Sequence, residues 1–414
     1  VASVSFVGYA CRVCNGQFGP EDATYRCPRG CGNLEVRLDF AGASREAITA
    51  SRDPSLWRYE KLLPVPVPAA DAGPLRAVGG TPLYDATRAA ARLGVGRVWL
   101  KDEGRMPTGS LKDRASAVVA QRATVIAAEK VITASTGNAG VALAAMAPCA
   151  GLDAVILVPE TAPAGKLAQL AIFGATVVLV RGSYDDAFEL SDAAAKELGW
   201  YCRNTGMNPF TVEGKKTVAF EVAEQLGWRS PTHVVVSVGD GNILMGVHKG
   251  FSELVELGFV DVMPKIVGVQ AEGSSPIARA FLDGSDEIVP VTTHTLADSI
   301  AAGRPADGPR ALGAVRQTGG SFVIVTDDEI LAAIADLGAD AAVFAEPAAA
   351  AAYAGLEKLA GRGDIGPQDE AVVLVTGNGL KDIAAATRAQ RRRAPVIDPN
   401  LGQLLAALSS ERNQ

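Results

Sequence analysis

From Gly79 onward the chain alternates short apolar runs with longer stretches of helical period, and few folds can absorb that alternation. Val98-Trp99-Leu100, Val131-Ile132-Thr133-Ala134, Ala154 to Val158, Thr176 to Val180, Val234 to Ser237, Lys265 to Gln270, Phe322 to Val325 and Ala371 to Val375 read as strands. Lys112 to about Ala123, the stretch ending near Met146, Ala164 to Phe173, Tyr184 to Leu198, Glu213 to Leu226 and Glu346 to Leu359 read as helices. Strands that are apolar on both faces and separated by helices imply parallel sheets covered on each side. The expected class is α/β, with two three-layer α/β/α lobes and mostly parallel sheets.

Residues 1–40 stand apart. Cys11 and Cys14 form a C-x2-C knuckle, Cys27 and Cys31 a C-x3-C knuckle, and Gly16, Gly19, Gly30 and Gly32 supply tight turns. This is the spacing of a four-cysteine zinc-ribbon-like segment, whose four thiolates would leave no open position for substrate and so imply a structural Zn2+. Two disulfides or an unused ribbon are the other readings, and a reducing compartment disfavours the disulfides. Cys149 and Cys202 sit in apolar patterns and read as core thiols. Residues 41–78 form a proline-rich arm with apolar anchors at Leu56, Trp57, Tyr59, Leu62 and Leu63, expected to wrap a larger body. Residues 79–119 and 213–390 are expected to make a large domain, 120–212 a smaller one, and 391–414, which opens on Arg391-Arg392-Arg393, a solvated tail or closing helix.

A net charge of -7 without a basic stripe argues against nucleic-acid binding. No apolar run approaches the ~20 residues of a membrane span. The first ten residues lack a basic region followed by an apolar core, so no secretory signal is expected, and Val1 hints at a trimmed start. A soluble cytoplasmic protein is the expectation. The three histidines, His233, His248 and His294, read as structural, and no Ser-His-Asp signature is present.

Ligands of open α/β sheets sit at the carboxyl ends of strands. The loops after Leu100, Ala134, Ser237 and Val375 all lead from strand to helix, and all carry Gly with Ser, Thr, Asn or Lys. In the first, Pro107-Thr108-Gly109-Ser110-Leu111-Lys112-Asp113-Arg114, Ser110 and Asp113 have the spacing of a capping box. Lys112 would then lie in a first helical turn, where unpaired N–H groups disfavour positive charge and favour a free amine. Gly239-Asp240-Gly241 before a helix can present N–H groups to a phosphate, and Ser135-Thr136-Gly137-Asn138 can hold a carboxylate in the same way. One lysine, two anion nests and the hydroxyl of Thr376 suit an anionic cofactor bearing an aldehyde.

Taken in order, Ser55 to Tyr59, Gly80-Thr81-Pro82-Leu83, Lys101 to Arg105, Pro107 to Arg114, Ser135 to Gly140, Asn208-Pro209, Glu213 to Thr217, Gly268 to Ala271, Glu346-Pro347 and Thr376 to Asp382 resemble the fold-type II pyridoxal phosphate enzymes, and within them the threonine synthase family. The resemblance covers nearly the whole chain, cysteine ribbon included. It implies that Lys112 is the Schiff-base lysine and that Asn138 hydrogen-bonds the cofactor's phenolic oxygen. It further implies that Ser135, Thr136 and Gly137 take the substrate carboxylate, that Gly239, Asp240, Gly241, Asn242 and Ile243 surround the cofactor phosphate, and that Thr376 faces the pyridine nitrogen. A hydroxyl there makes a milder electron sink than a carboxylate, which suits elimination and replacement. A small amino-acid substrate and a homodimer are the corresponding partners.

The segment before Glu213 departs from that pattern. The family supplies Asn-Ser, and an Arg just after Asn-Pro, to grip the leaving phosphate; here those places read Thr205, Gly206, Asn208, Pro209, Phe210 and Thr211. Thr205 and Asn208 remain as substrate-binding candidates. The phosphate loop also has Asp240 where an acidic group would repel an anion unless it points away. Three activities follow. One is threonine synthase proper, acting on O-phosphohomoserine with its phosphate gripped by Arg105, Lys166 or Lys215. Another is β-replacement on phosphoserine or phosphothreonine, as cysteate synthase performs. The third is a serine or threonine dehydratase.

Overall fold

The computed structural model describes residues 5–162, 164–392 and 394–411, apart from the side chains of residues 164–166 and 410–411. Lys166 as a phosphate ligand and Arg393 of the basic triplet therefore lie outside the described side chains. Strands β1 (Phe6–Ala10), β2 (Gln17–Phe18) and β3 (Glu35–Leu38) make a small antiparallel sheet ordered β2-β1-β3. β4 (Leu83–Asp85) and β5 (Arg97–Asp102) begin the large sheet. β6 (Lys130–Ala134), β7 (Asp153–Pro159), β8 (Thr176–Val180) and β9 (Tyr201–Cys202) form a second, all-parallel sheet ordered β8-β7-β6-β9. β10 (His233–Ser237), β11 (Lys265–Ala271), β12 (Ser321–Val325) and β13 (Glu370–Val375) complete the large sheet, ordered β12-β11-β10-β13-β5-β4. Only β4 runs antiparallel in it, pairing Leu83 with Lys101 and Asp85 with Trp99. β10 is buried at every residue, as a central strand covered on both faces must be.

β13 inserts between β10 and β5, so the large sheet reverses its order there and opens a crevice at the carboxyl ends of these strands. Three helices lie beside that crevice: Lys112–Val125, Phe210–Gln225 and Asn242–Glu256. The middle one is buried from Phe210 to Ala223 and packs against the other two. Its helix starts three residues before the expected Glu213, because Pro209 has the backbone angles that open a helix. Gly214 is what allows the closest approach, since a Cβ there would lie 2.0 Å from the carbonyl oxygen of Arg114.

The first turn of the Lys112 helix is held by buried charge. Arg114 donates from Nε to Glu103 Oε2 at 2.7 Å and from Nη1 to Glu221 Oε1 at 2.6 Å. Lys101 Nζ donates to Glu221 Oε2 at 2.7 Å, and Thr81 Oγ1 to Glu103 Oε1 at 2.6 Å. Burial pushes the Glu221 carboxyl up, but Arg114 and Lys101 outweigh it and hold the group well below the usual carboxylate range. The capping box expected at Ser110 and Asp113 is not formed. Leu111 is the residue before the helix and caps nothing with its side chain, while the Asp113 carboxylate accepts from Thr108 N at 2.7 Å and from Thr108 Oγ1 at 2.5 Å. Asp113 thus closes the loop behind the lysine instead of capping the helix ahead of it.

The arm is anchored as its sequence implies. Leu56, Trp57, Tyr59, Leu62 and Leu63 are buried, and Trp57 Nε1 donates to Leu75 O at 2.8 Å. The C-terminal stretch carries an exposed helix, Leu401–Glu411. No helix among the described residues is long and apolar enough to cross a membrane. Breaking one partner out of a buried charge network is costly, so Glu221→Gln is expected to lower unfolding stability by ~3–5 kcal/mol. Urea denaturation followed by tryptophan fluorescence measures this; a loss below ~1 kcal/mol, the worth of a surface pair, would remove the network from the fold's stability.

Candidate active site

A cavity of about 570 Å3 opens where the carboxyl ends of β6, β10 and β13 converge on the start of the Lys112 helix. Lys112, Ser135, Thr136, Gly137, Asn138 and Thr205 line it, as do the loop from Gly239 through Ile243 and Thr376. Residues scattered over more than 250 positions of sequence therefore face one space. Asn208 does not join them. Its Nδ2 donates to Cys202 O at 2.7 Å and its Oδ1 accepts from Phe210 N at 2.9 Å, which shapes the turn before the helix.

Lys112 is half-buried at the cavity wall. Its amine is held below the ordinary lysine value mainly by desolvation, with Arg203 and Lys381 adding to the shift and Glu346 and Asp240 opposing it. Burial, more than the helix end, is what favours the free amine. The loops on either side are stitched together: Leu111 N donates to Thr376 O at 2.9 Å, and Asn378 N to Gly109 O at 3.0 Å. The lysine and the hydroxyl at the end of β13 are thereby fixed relative to each other.

The Gly239–Ile243 loop forms the opposite wall. Gly241 precedes the Asn242–Glu256 helix with φ +93, and a Cβ there would lie 2.9 Å from Ala311 Cβ, so only glycine fits. The first N–H groups of that helix point at the cavity end, an arrangement that accepts phosphate. Asp240 Oδ1 accepts from Ala306 N at 3.3 Å, which ties its carboxylate to the neighbouring loop, and burial raises its pKa. Lys215, fully buried, donates from Nζ to Asn242 Oδ1, and its amine lies well below the ordinary value through desolvation and the nearby charges of Lys112 and Arg203. Ser237 Oγ is buried in the cavity wall without a hydrogen-bond partner. An amine, a helix N-terminus, an orphaned hydroxyl and Thr376 around one cavity fit a phosphorylated aldehyde cofactor.

Several cavity residues carry no signal that sequence reading picks up. Arg203, Tyr184 and the segments around Val291 and from Asp298 to Arg304 all line it. Glu346 belongs to a motif but had no assigned role; its Oε1 and Oε2 accept from Asn138 Nδ2 at 2.8 and 3.1 Å. Arg105, a candidate phosphate grip, lines a separate pocket with Tyr84 and Asp102. No histidine lines the cavity.

The four cysteines near the N-terminus form a second centre. None is in a disulfide, and their Sγ atoms all lie within 4.8 Å of one another. The separations of 3.8 Å for Cys11–Cys31, 3.7 Å for Cys14–Cys27 and 3.3 Å for Cys27–Cys31, with none above 4.8 Å, bracket the ~3.8 Å edge of a tetrahedron with ~2.3 Å zinc–sulfur bonds. The residues therefore fit a closed, structural metal site. This module touches both lobes. Cys202 N donates to Tyr25 Oη at 2.7 Å, and Asn33 Nδ2 donates to Gly206 O. On the other side Arg310 donates to Glu35 Oε1 at 2.6 Å and to Asp307 Oδ1 at 2.7 Å, and Asn242 Nδ2 donates to Asp307 Oδ2 at 2.5 Å. That chain of contacts ends on the phosphate-accepting loop.

Residues 75–377 match the family described as pyridoxal-phosphate dependent enzyme. The chain is 39% identical to a threonine synthase of Methanosarcina acetivorans, over 90% of this chain and 91% of that one. It is equally identical, at 39%, to a threonine synthase of Methanocaldococcus jannaschii, over 92% and 94%. Among solved structures it superimposes on a fungal L-serine ammonia-lyase from Rhizomucor miehei with TM-score 0.64 and 21% identity, covering 76% of this chain and 98% of that one. Threonine deaminase isoform 2 from Solanum lycopersicum gives TM-score 0.63 and 23% identity, covering 75% and 82%. These last two likenesses are of fold alone. On the match across the catalytic body and the full-length identity with its relatives, the chain belongs to the threonine synthase family of pyridoxal-phosphate-dependent enzymes.

Proposed function

We propose that this enzyme eliminates phosphate from an O-phosphoamino acid and adds a nucleophile, and that its reaction is the conversion of O-phosphohomoserine and water to threonine and phosphate. The observation that carries this reading is the convergence of Lys112, the Ser135–Asn138 loop, the Gly239–Ile243 loop and Thr376 on one cavity, in a chain alike along its length to proteins named threonine synthase. When bound, pyridoxal phosphate supplies an electron sink for carbanions next to the substrate's amino-bearing carbon. Lys112 would hold it covalently, the Gly239–Ile243 amides its phosphate, and Thr376 its ring nitrogen. Lys112 is also the group suited to move protons at the substrate's carbons, because it lines the cavity and desolvation lowers its basicity. The amides around Ser135, Thr136 and Gly137 take the substrate carboxylate. The smaller domain, residues 120–212, closes over the substrate and keeps water from the reacting carbons until it is needed.

β-Replacement on phosphoserine or phosphothreonine is the second reading, favoured by Gly206 and Thr211 standing where the family has a serine and an arginine. In the N-terminal module we place a structural Zn2+ on Cys11, Cys14, Cys27 and Cys31.

A panel of phosphohomoserine, phosphoserine, phosphothreonine, serine and threonine, each with and without sulfite or sulfide, separates the readings by phosphate release and product identity. Threonine and phosphate from phosphohomoserine without an added nucleophile are expected. Phosphate release whose organic product changes with the nucleophile would favour β-replacement, and keto acid from free serine or threonine would sink both. The holoenzyme is expected to absorb near the visible edge, with a band that borohydride removes. Lys112→Ala is expected to lose that band, and a band unchanged in the variant would exclude Lys112 as the attachment point. Metal analysis is expected to give one zinc per chain. In a Cys11→Ser, Cys14→Ser double variant the zinc should be lost and the thermal midpoint lowered; a wild-type protein without zinc would refute the metal assignment.

A further inference from the structure

Two fully buried arginines flank the catalytic lysine, and they are treated in opposite ways. Arg114 is surrounded by the carboxylates of Glu103 and Glu221. Arg203 is equally buried, with 0% of its surface exposed, yet no carboxylate pairs with it among the described residues. Its Nε donates to Ser116 Oγ at 3.3 Å and its Nη1 to Thr205 Oγ1 at 2.5 Å, while Nη2 has no partner. The side chain lines the cavity beside Thr205 and Lys215. Its position is fixed by the backbone: Arg203 N donates to Ile132 O at 2.8 Å, one residue past the end of β9, so the arginine stands next to the strand that leads into Ser135.

Burying a guanidinium without a counter-charge is costly, because nothing in the interior replaces the water it loses. Desolvation brings the Arg203 pKa down to about 10. A planar fork with one buried, unpartnered nitrogen, held by neutral hydroxyls in the wall of a cavity, is suited to an anion that arrives with the ligand. Two anions already have places. The cofactor phosphate belongs to the Gly239–Ile243 amides, with Lys215 behind them on Asn242. The substrate carboxylate belongs to the Ser135–Gly137 loop. Thr211, where the family carries its phosphate-gripping arginine, does not serve a third anion: unlike Arg203 it is absent from the cavity lining, and its hydroxyl donates to Asn208 O at 2.7 Å.

We infer that Arg203 grips the leaving phosphoryl group of the substrate, so that this chain meets the requirement with an arginine before the Asn-Pro turn instead of after it. Thr205 orients the guanidinium through Nη1, and Nη2 is the donor left for the phosphoryl oxygens. This rests on the phosphoamino-acid reading above and names the residue that makes the site selective for it.

The test uses pyridoxal-phosphate-loaded wild type, Arg203→Gln and Arg203→Lys. The initial absorbance change on mixing with O-phosphohomoserine and, separately, with threonine gives two half-saturation concentrations for each protein. In parallel, inorganic phosphate is titrated against the thermal midpoint of the same pyridoxal-phosphate-loaded proteins. In Arg203→Gln, O-phosphohomoserine is expected to bind ~10- to 100-fold more weakly, the worth of a charge-assisted hydrogen bond, while threonine stays within ~2-fold. Arg203→Lys, which keeps the charge but loses the fork, should fall between. Phosphate should raise the wild-type midpoint more than that of Arg203→Gln. Equal weakening of both ligands would assign Arg203 to the carboxylate and overturn the inference, as would no weakening of either. Wild type that responds to serine or threonine but to no phosphorylated amino acid would instead overturn the phosphoamino-acid reading, and the Arg203 assignment with it. That failure appears before any variant is made, so it is distinguishable from failure of Arg203 alone.

Discussion

The charge network around Arg114 is what the catalytic geometry depends on. Arg114 lies two residues after Lys112, and Glu103 lies in the turn that follows β5. Glu221 comes from the buried helix Phe210–Gln225, and Lys101 from the end of β5 itself. Their mutual bonds tie the strand, the loop and both helices at one point. The ions are out of water, so the penalty for separating any one of them is large. A loop that would otherwise sample many conformers is thereby held in one, and Lys112 is delivered to the cavity on a rigid base. The close approach permitted by Gly214 adds a steric reason for the same registry.

Across the cavity the treatment of charge divides by purpose. Lys216, buried, is ion-paired with Glu213 and Glu253 at 2.7 Å each, and Arg114 is likewise surrounded by carboxylates. Lys112 and Lys215 instead face the cavity with lowered basicity, because nearby positive charge and burial both disfavour their protonated forms. A protein interior tolerates such an imbalance only where something returns the missing negative charge. Saturated cations therefore mark the frame, and under-saturated ones mark where a ligand completes the structure. Glu346 fits between these classes: both its oxygens accept from the Asn138 amide nitrogen, and it lies close enough to Lys112 to oppose the fall in its basicity.

Much of this arrangement was legible in the chain because it follows from local pattern. Apolar runs such as Ala371 to Val375 became central strands, and each glycine-bearing loop named from the sequence lies at a strand's carboxyl end. The capping box was misread for a physical reason. Asp113 has two nearby donors to choose from, and the Thr108 amide and hydroxyl engage both its oxygens where the helix amide would engage one. Arg203 was invisible because nothing in its neighbours announces burial without a partner; only the packing of β9 against β6 creates that state. The Asp298–Arg304 segment carries no signal for a similar reason, since a single 3-10 turn, Asp298–Ile300, and the loop after it are too short to show a period and reach the cavity only through the tertiary fold. Motifs such as Lys101 to Arg105 were recognised in the chain, but their role proved to be structural support beneath the site and not contact with the cavity.

The cysteine module extends the same logic over a longer distance. Four thiols within 4.8 Å of one another are a poor arrangement for protonated sulfur and a good one for thiolates around a dication. The turns that gather them also present Tyr25 and Asn33 to the Cys202–Gly206 segment, in which Arg203 and Thr205 lie. The same module presents Glu35 to Arg310, whose other contact, Asp307, holds Asn242 at the head of the phosphate-accepting helix. One small sheet is thus bonded to both the segment that would meet the substrate and the loop that would meet the cofactor. Four thiolates around a dication would leave no free position for chemistry there, so the part such a centre would play in catalysis is mechanical. The module's contacts join the Cys202–Gly206 segment to the loop at Asn242, two cavity walls that are carried on different sheets with no strand in common.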